Sequence, residues 1–190
     1  MKVILIYLVF AITSLNSLAA QIRFGIKSGV TLADQTEAEF SPARSRMGLN
    51  ISAFIEYSFH RHLSLQAESG YDQKGYRHTE GDVKIGDRLN YWVSSARVKM
   101  DYPLTKWAAY LAIGLRYDRL VSKKIGNTMP VVLLPDKNSG GLVFAGGLEV
   151  KNVFPVTSII EVSFNPDFTT LYRYPHTRNR TIELKLGVKL

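Results

Sequence analysis

Between residues 47 and 78 apolar and polar side chains alternate with a period of two. Leu49, Ile51, Ala53, Ile55, Tyr57 and Phe59 share one parity, and Asn50, Ser52, Glu56 and Ser58 the other, with Phe54 as an intruder. Successive side chains of a strand point to opposite faces, so the pattern predicts a strand with one apolar and one polar face. After the His60-Arg61-His62 corner it resumes, with Leu63, Leu65, Ala67 and Tyr71 against Ser64, Gln66, Glu68, Asp72 and Lys74. Two long strands joined by so short a corner predict an antiparallel hairpin.

The alternation recurs along the rest of the chain. Residues 22–33 set Phe24, Ile26, Val30 and Leu32 against Arg23, Lys27 and Thr31, with Gly25 and Gly29 on the polar side. A polar connection runs from Asp34 to Arg46, and another is expected from Thr79 to Asp87. Residues 88–102 place Trp92, Ala96, Val98, Met100 and Tyr102 opposite Tyr91, Ser95, Arg97, Lys99 and Asp101. After a corner at Pro103 to Lys106, residues 107–122 place Trp107, Ala109, Leu111, Ile113, Leu115 and Tyr117 opposite Tyr110, Gly114, Arg116 and Asp118. An irregular segment, Lys123 to Gly140, precedes a sixth strand with Leu142, Phe144, Leu148 and Val150 against Glu149 and Lys151. Beyond the Phe154-Pro155 corner, Val156, Ile160, Val162 and Phe164 oppose Thr157, Glu161 and Ser163. A loop from Asn165 to Asn179 leads to the last strand, where Ile182, Leu184, Leu186, Val188 and Leu190 alternate with Thr181, Glu183, Lys185 and Lys189.

Eight strands result, and their connections alternate. Those after strands two, four and six are tight, whereas those after one, three, five and seven are long and polar. Short turns at one end and long loops at the other predict an all-β, eight-stranded antiparallel up-and-down transmembrane β-barrel, with apolar residues facing lipid and charges facing the lumen. A soluble ligand-binding barrel lines its interior with apolar residues, and here every candidate inner face carries charge. Aromatics agree: Tyr57, Phe59, Tyr102 and Trp107 lie beside the short turns, and Tyr71, Tyr76, Tyr91, Trp92 and Tyr117 towards the long loops. Girdles of this kind mark membrane interfaces.

Residues 1–20 have Lys2, an apolar run and small residues before Gln21, the pattern of a secretory signal peptide cleaved after Ala19 or Ala20. Residues 21–190 then form one barrel domain, exported to a bacterial outer membrane. The formal charge of +8 becomes +7 without Lys2. With no cysteine in the chain, disulfides and thiolate metal sites are excluded. The basic balance does not imply nucleic acid, because the inward parities absorb it. The expected lumenal charge network is Arg23, Lys27, Glu56, Glu68, Asp72, Lys74, Arg97, Lys99, Asp101, Arg116, Asp118, Glu149, Lys151, Glu161, Glu183, Lys185 and Lys189. An eight-stranded interior is filled by its own side chains, so the lumen is expected to be closed. At the long-loop end Tyr172, Arg173, Tyr174, Arg178 and Arg180 are candidate surface contacts for phosphorylated lipopolysaccharide.

Several phrases, GIKSGVTLA, HLSLQAESGYDQKGYR, LNYWVSSARVKMDY, YLAIGLRYDRLVS and LKLGVKL, resemble successive strands of the outer-membrane β-barrel domain of PorT-like proteins and of the small opacity-type barrels. The resemblance covers nearly the whole of residues 21–190. It implies an envelope barrel handled by the barrel-assembly machinery, with outer-membrane lipid and envelope proteins as partners, and it brings no catalytic residues.

Candidate chemistry is sparse. His62 and Ser64 form an H-x-S pair similar to that of lipid A deacylase barrels, with Glu68 as a conceivable third member, but the pair sits by a short turn on the lumenal parity. His60 and His62 make a weak metal pair without a third ligand. The Gly-Gly pairs at Gly140 and Gly146 precede no helix that would hold a phosphate. No cofactor, metal or catalytic set is expected. The reading is a non-enzymatic envelope barrel contributing to surface structure, surface interaction or secretion-system assembly, with a small lipid-acting barrel enzyme as the alternative.

Overall fold

The computed structural model describes residues 21–36, 44–80, 83–124, 136–151, 156–169 and 178–190. The expected signal peptide lies outside them. Eight strands follow in chain order: β1 (Ile22–Thr36), β2 (Arg44–His60), β3 (Leu63–Glu80), β4 (Val83–Pro103), β5 (Trp107–Lys124), β6 (Asn138–Lys151), β7 (Thr157–Pro166) and β8 (Arg178–Lys189). Each pairs antiparallel with the next, and β8 returns to β1 from Gly25↔Lys189 to Thr36↔Arg178. The sheet thus closes on itself and leaves no long edge unpaired.

Side chains are distributed inside out relative to a water-soluble domain. Thirty-two large apolar side chains are exposed among the described residues, including Leu111 at 64%, Leu186 at 62% and Ile26 at 58%. The buried set is dominated by Lys, Arg, Glu, Asp, Asn, Ser and Thr, with Phe54, Leu89, Tyr91, Tyr110 and Ile159 among the few larger apolar members. A large apolar side chain left in water forgoes about 1.5–3 kcal/mol. An outer face of this extent would forgo several times the roughly 5–15 kcal/mol by which domains are stable. The face is suited to hydrocarbon.

Two expectations are corrected. Thr79 to Asp87 is not a loop: β3 and β4 stay paired through Tyr76↔Asp87 to Glu80↔Val83, leaving only Gly81 and Asp82 between them. Antiparallel neighbours satisfy each other's backbone groups whatever their side-chain polarity, so a polar stretch continued as ladder. Tyr91 does not belong to an aromatic girdle. It is buried inside the barrel with Leu89, against Val93 and Leu120, because its parity is that of Arg97 and Lys99.

The seam between β1 and β8 depends on a missing side chain. A Cβ on Gly29 would overlap the Leu184 carbonyl oxygen of β8. Gly29→Ala therefore forces the closing strands apart and should destabilise the barrel by about 1–3 kcal/mol. The check is the urea midpoint of the protein in lipid vesicles, and an unmoved midpoint would show slack at this seam.

Candidate functional site

Inward parity brings charged side chains from all eight strands into one tube, where they form three linked groups. Nearest the short turns, Lys99 Nζ lies 2.5 Å from Glu149 and 3.0 Å from both Glu56 and Asp101. Lys189 Nζ lies 2.6 Å from Glu149 and 3.1 Å from Glu56. Phe54, Tyr110 and Ile159 pack together as a buried apolar cluster. A Cβ on Gly25 would strike the Phe54 ring, so the glycine makes room for it.

In the middle group Lys27 Nζ is 2.6 Å from Glu161 and 3.2 Å from Glu68. Arg97 reaches Glu161 at 3.1 Å and also contacts Glu68, and the Tyr110 hydroxyl donates to Glu161 at 2.7 Å. Lys185 Nζ, 3.0 Å from Glu68 and 2.6 Å from Glu183, connects this group to the third. There the Arg116 guanidinium spreads over three carboxylates, Glu183 at 2.7 Å and Asp72 and Asp118 at 2.8 Å each. Lys74 pairs with Asp118. Three lysines also stand over aromatic rings: Lys27 is 4.8 Å from the Phe54 centroid, Lys74 5.1 Å from Tyr91 and Lys99 4.6 Å from Tyr110.

Fifteen of the expected residues thus meet, as seven cations and eight carboxylates. Arg23 and Lys151 do not join them. Both have inward parity but stand at the short-turn end, where the tube opens, and both are exposed with no ion pair among the described residues. Sequence reasoning missed the neutral members. Thr31, Asn50, Gln66, Asn165 and Thr181 hydrogen-bond into the network, and only their shared parity with the charges signals it. Past the end of β7 a further carboxylate, Asp167, is buried and accepts from Ser139 at 2.8 Å. Burial pushes its carboxyl above the usual range, with Asp118 adding to the rise and Lys74, Arg116 and Ser139 opposing it.

A cavity of about 30 Å³ is lined by Asn50, Asp72, Arg97, Arg116, Asn165 and Glu183 among others, enough for about two waters. Asn50 Oδ1, Asn165 Oδ1 and Arg97 Nε are buried without a hydrogen-bond partner among the described residues, the kind of groups that internal water satisfies.

The H-x-S pair does not assemble a catalytic set. His62 Nδ1 lies 3.1 Å from the Asp101 carbonyl oxygen, Ser64 is fully buried inside the barrel, and Glu68 is occupied by Lys27, Arg97, Lys185 and Ser52. At the long-loop rim Arg178 and Arg180 are exposed, and Arg180 lies opposite Asp34 across the β1–β8 ladder. Arg88 faces Lys124 across β4–β5, with Arg119 also exposed. Tyr172, Arg173 and Tyr174 lie outside the described residues.

Breaking one member of a buried charge network strands its partners. Glu68→Ala, which deprives Lys27, Arg97 and Lys185 of an anion, should cost about 3–5 kcal/mol, whereas Arg23→Ala and Lys151→Ala should stay within about 0.5 kcal/mol. Urea titration of the three variants in one bilayer composition decides this. Equal small effects would mean that water reaches Glu68 freely.

No protein-family model matches the chain, and no curated protein matches its sequence. Among solved structures the barrel is similar to Neisserial surface protein A, at 17% identity over 88% of this chain and 96% of that one, with a TM-score of 0.56. Ail, the attachment invasion locus protein of Yersinia pestis, solved in complex with the heparin analogue sucrose octasulfate, is 13% identical over 90% of this chain and 99% of its own, at a TM-score of 0.49. The N-terminal β-barrel domain of Pseudomonas aeruginosa OprF is 10% identical over 87% and 97%, at 0.45. The likeness to Neisserial surface protein A shows a shared fold, the closed eight-stranded antiparallel barrel.

Proposed function

We propose that the chain is a non-enzymatic integral protein of a bacterial outer membrane, with the short turns towards the periplasm, the long connections outward and a lumen closed to solutes. The observation that carries the reading is the inversion itself: exposed apolar side chains encircle a tube of paired charges. Lipid is the surround in which both halves of that arrangement are favourable, because it accepts the outer face while the closed ladder satisfies the backbone. The shared fold with a Neisserial surface protein supports it, as do the signal-like residues 1–20. The strand phrases similar to PorT-like barrels favour a role in envelope structure, surface interaction or secretion-system assembly, after insertion by the barrel-assembly machinery.

The outward end is the working surface in this reading. Arg178 and Arg180, with Arg173 and the tyrosines at 172 and 174, offer cations and rings to the phosphates of lipopolysaccharide. Arg88 and Lys124, like charges held directly opposite each other, would both be relieved by a bound phosphate.

Location is tested by fractionation: the protein should travel with the outer membrane and migrate faster in detergent gels before boiling than after, and recovery in the soluble periplasmic fraction would sink the proposal. Closure is tested in planar bilayers, where purified protein should show no steady conductance on the scale of a diffusion porin. The rim is tested by replacing Arg173, Arg178 and Arg180 with Ser. Binding to lipopolysaccharide at low salt should weaken while gel migration is unchanged, and undiminished binding would remove these residues from the contact.

A further inference from the structure

The short-turn mouth carries charge that the interior does not neutralise. Arg23 at the start of β1, Arg61 in the β2–β3 corner, Lys106 in the β4–β5 corner and Lys151 at the end of β6 are exposed, and none has an ion pair among the described residues. His60 beside Arg61 is exposed as well. No exposed Asp or Glu stands at this mouth among the described residues, and Asp101, the nearest, is half-buried and held by Lys99. The group just inside sets Lys99 and Lys189 against Glu56, Asp101 and Glu149. Its one surplus carboxylate offsets one of the four cations and leaves three.

These cations are spread round the rim from β1 to β6, and large exposed side chains accompany them on the outer face. Phe24 follows Arg23, Phe59 precedes the His60-Arg61 corner, and Tyr102 and Trp107 flank the corner that holds Lys106. Lys106 and Lys151 are joined across β5–β6, the Lys151 amide donating to the Lys106 carbonyl at 3.1 Å, beside the Trp107↔Val150 pair. Aromatics of this kind sit at the membrane interface, which puts Arg61 and Lys106, in their corners, one or two residues further out, at the depth of lipid phosphates, while Arg23 and Lys151, of inward parity, stand at the opening of the tube. A soluble acidic partner would be met by a compact patch. Cations distributed from β1 to β6 along the mouth match a leaflet.

We propose that the short-turn mouth binds anionic phospholipid head groups in the leaflet on its side of the membrane, with Arg61 and Lys106 gathering the phosphates and Arg23 and Lys151 adding positive charge at the opening of the tube. The proposal rests on the membrane-spanning reading above. A cation beside an anionic lipid surface changes association by about five-fold, so the four together give the mouth a clear preference for anionic over zwitterionic lipid.

The chain's two tryptophans stand at opposite ends, Trp107 by the short turns and Trp92 towards the long loops, both exposed. Trp92→Phe leaves Trp107 as a reporter of the short-turn leaflet. The full barrel is inserted into phosphatidylcholine vesicles doped, at equal mole fraction, with either phosphatidylglycerol or phosphatidylcholine brominated on the acyl chains. Brominated phosphatidylglycerol should quench Trp107 several-fold more effectively, and raised salt should remove the difference. Adding Lys106→Gln and Lys151→Gln should bring quenching by the two lipids close to equal, and Lys106→Arg with Lys151→Arg should retain the difference. Equal quenching by the two lipids, or a preference unmoved by the double Gln variant, overturns the proposal while leaving the barrel in its membrane. Quenching by neither lipid would show that the barrel is not inserted, and sinks the membrane reading together with this one.

Discussion

Everything in this barrel depends on pairing the charges that inward parity gathers into one tube. An interior of eight strands is filled by side chains, and an ion with no partner there carries an effective penalty of several kcal/mol. The chain answers with cross-lumen pairs and not merely with pairs between ladder neighbours. Lys27 of β1 reaches Glu161 of β7, Lys99 of β4 reaches Glu149 of β6 and Glu56 of β2, and Arg116 of β5 reaches Asp72 of β3 and Glu183 of β8. Each contact ties strands that share no hydrogen-bond ladder, so the network braces the cross-section of the barrel as well as filling it.

Aromatic side chains on the charged parity separate and support the ionic groups. Phe54 and Tyr110 pack with Ile159, yet the face of each ring also receives a lysine ammonium, and the Tyr110 hydroxyl bonds Glu161. A ring offers apolar bulk at its edge and a partial negative charge on its face. It can therefore occupy a lumen that must be dry and charged at once, which an aliphatic residue could fill but not help to neutralise.

The period-two alternation made the strands and the inner face legible, because a closed barrel enforces parity on every residue that passes through it. Arg23 and Lys151 show where parity stops being informative: near a strand end the inward direction leads to open solvent. Phe54 was visible as a break in the alternation, but its partners were not, since Gly25, Lys27 and Ile159 meet it only after strands distant in sequence are brought together. Polarity misplaced the β3–β4 end for a related reason. Side-chain character selects the face of a strand, whereas the ladder ends where two backbones part, and here the pairing holds as far as Glu80↔Val83. The long-loop end was the least legible region, because the sequence between the strands there carries no periodic signal.

Closure also makes one seam the last step of a single event. Lys27 sits on the first strand, while Glu161 and Lys185 belong to the final two, separated from it by well over half the chain. An open sheet of the first six strands would hold Lys27 and Arg97 without Glu161 and Arg116 without Glu183, each short of part of its anionic shell. Intramembrane charge is costly wherever it lacks a partner or water, and long-range pairings form late because chain entropy opposes them. In the membrane-spanning reading the ionic network is therefore completed only when β7 and β8 arrive, and a sheet still short of those strands has to be sheltered from hydrocarbon until β8 meets β1.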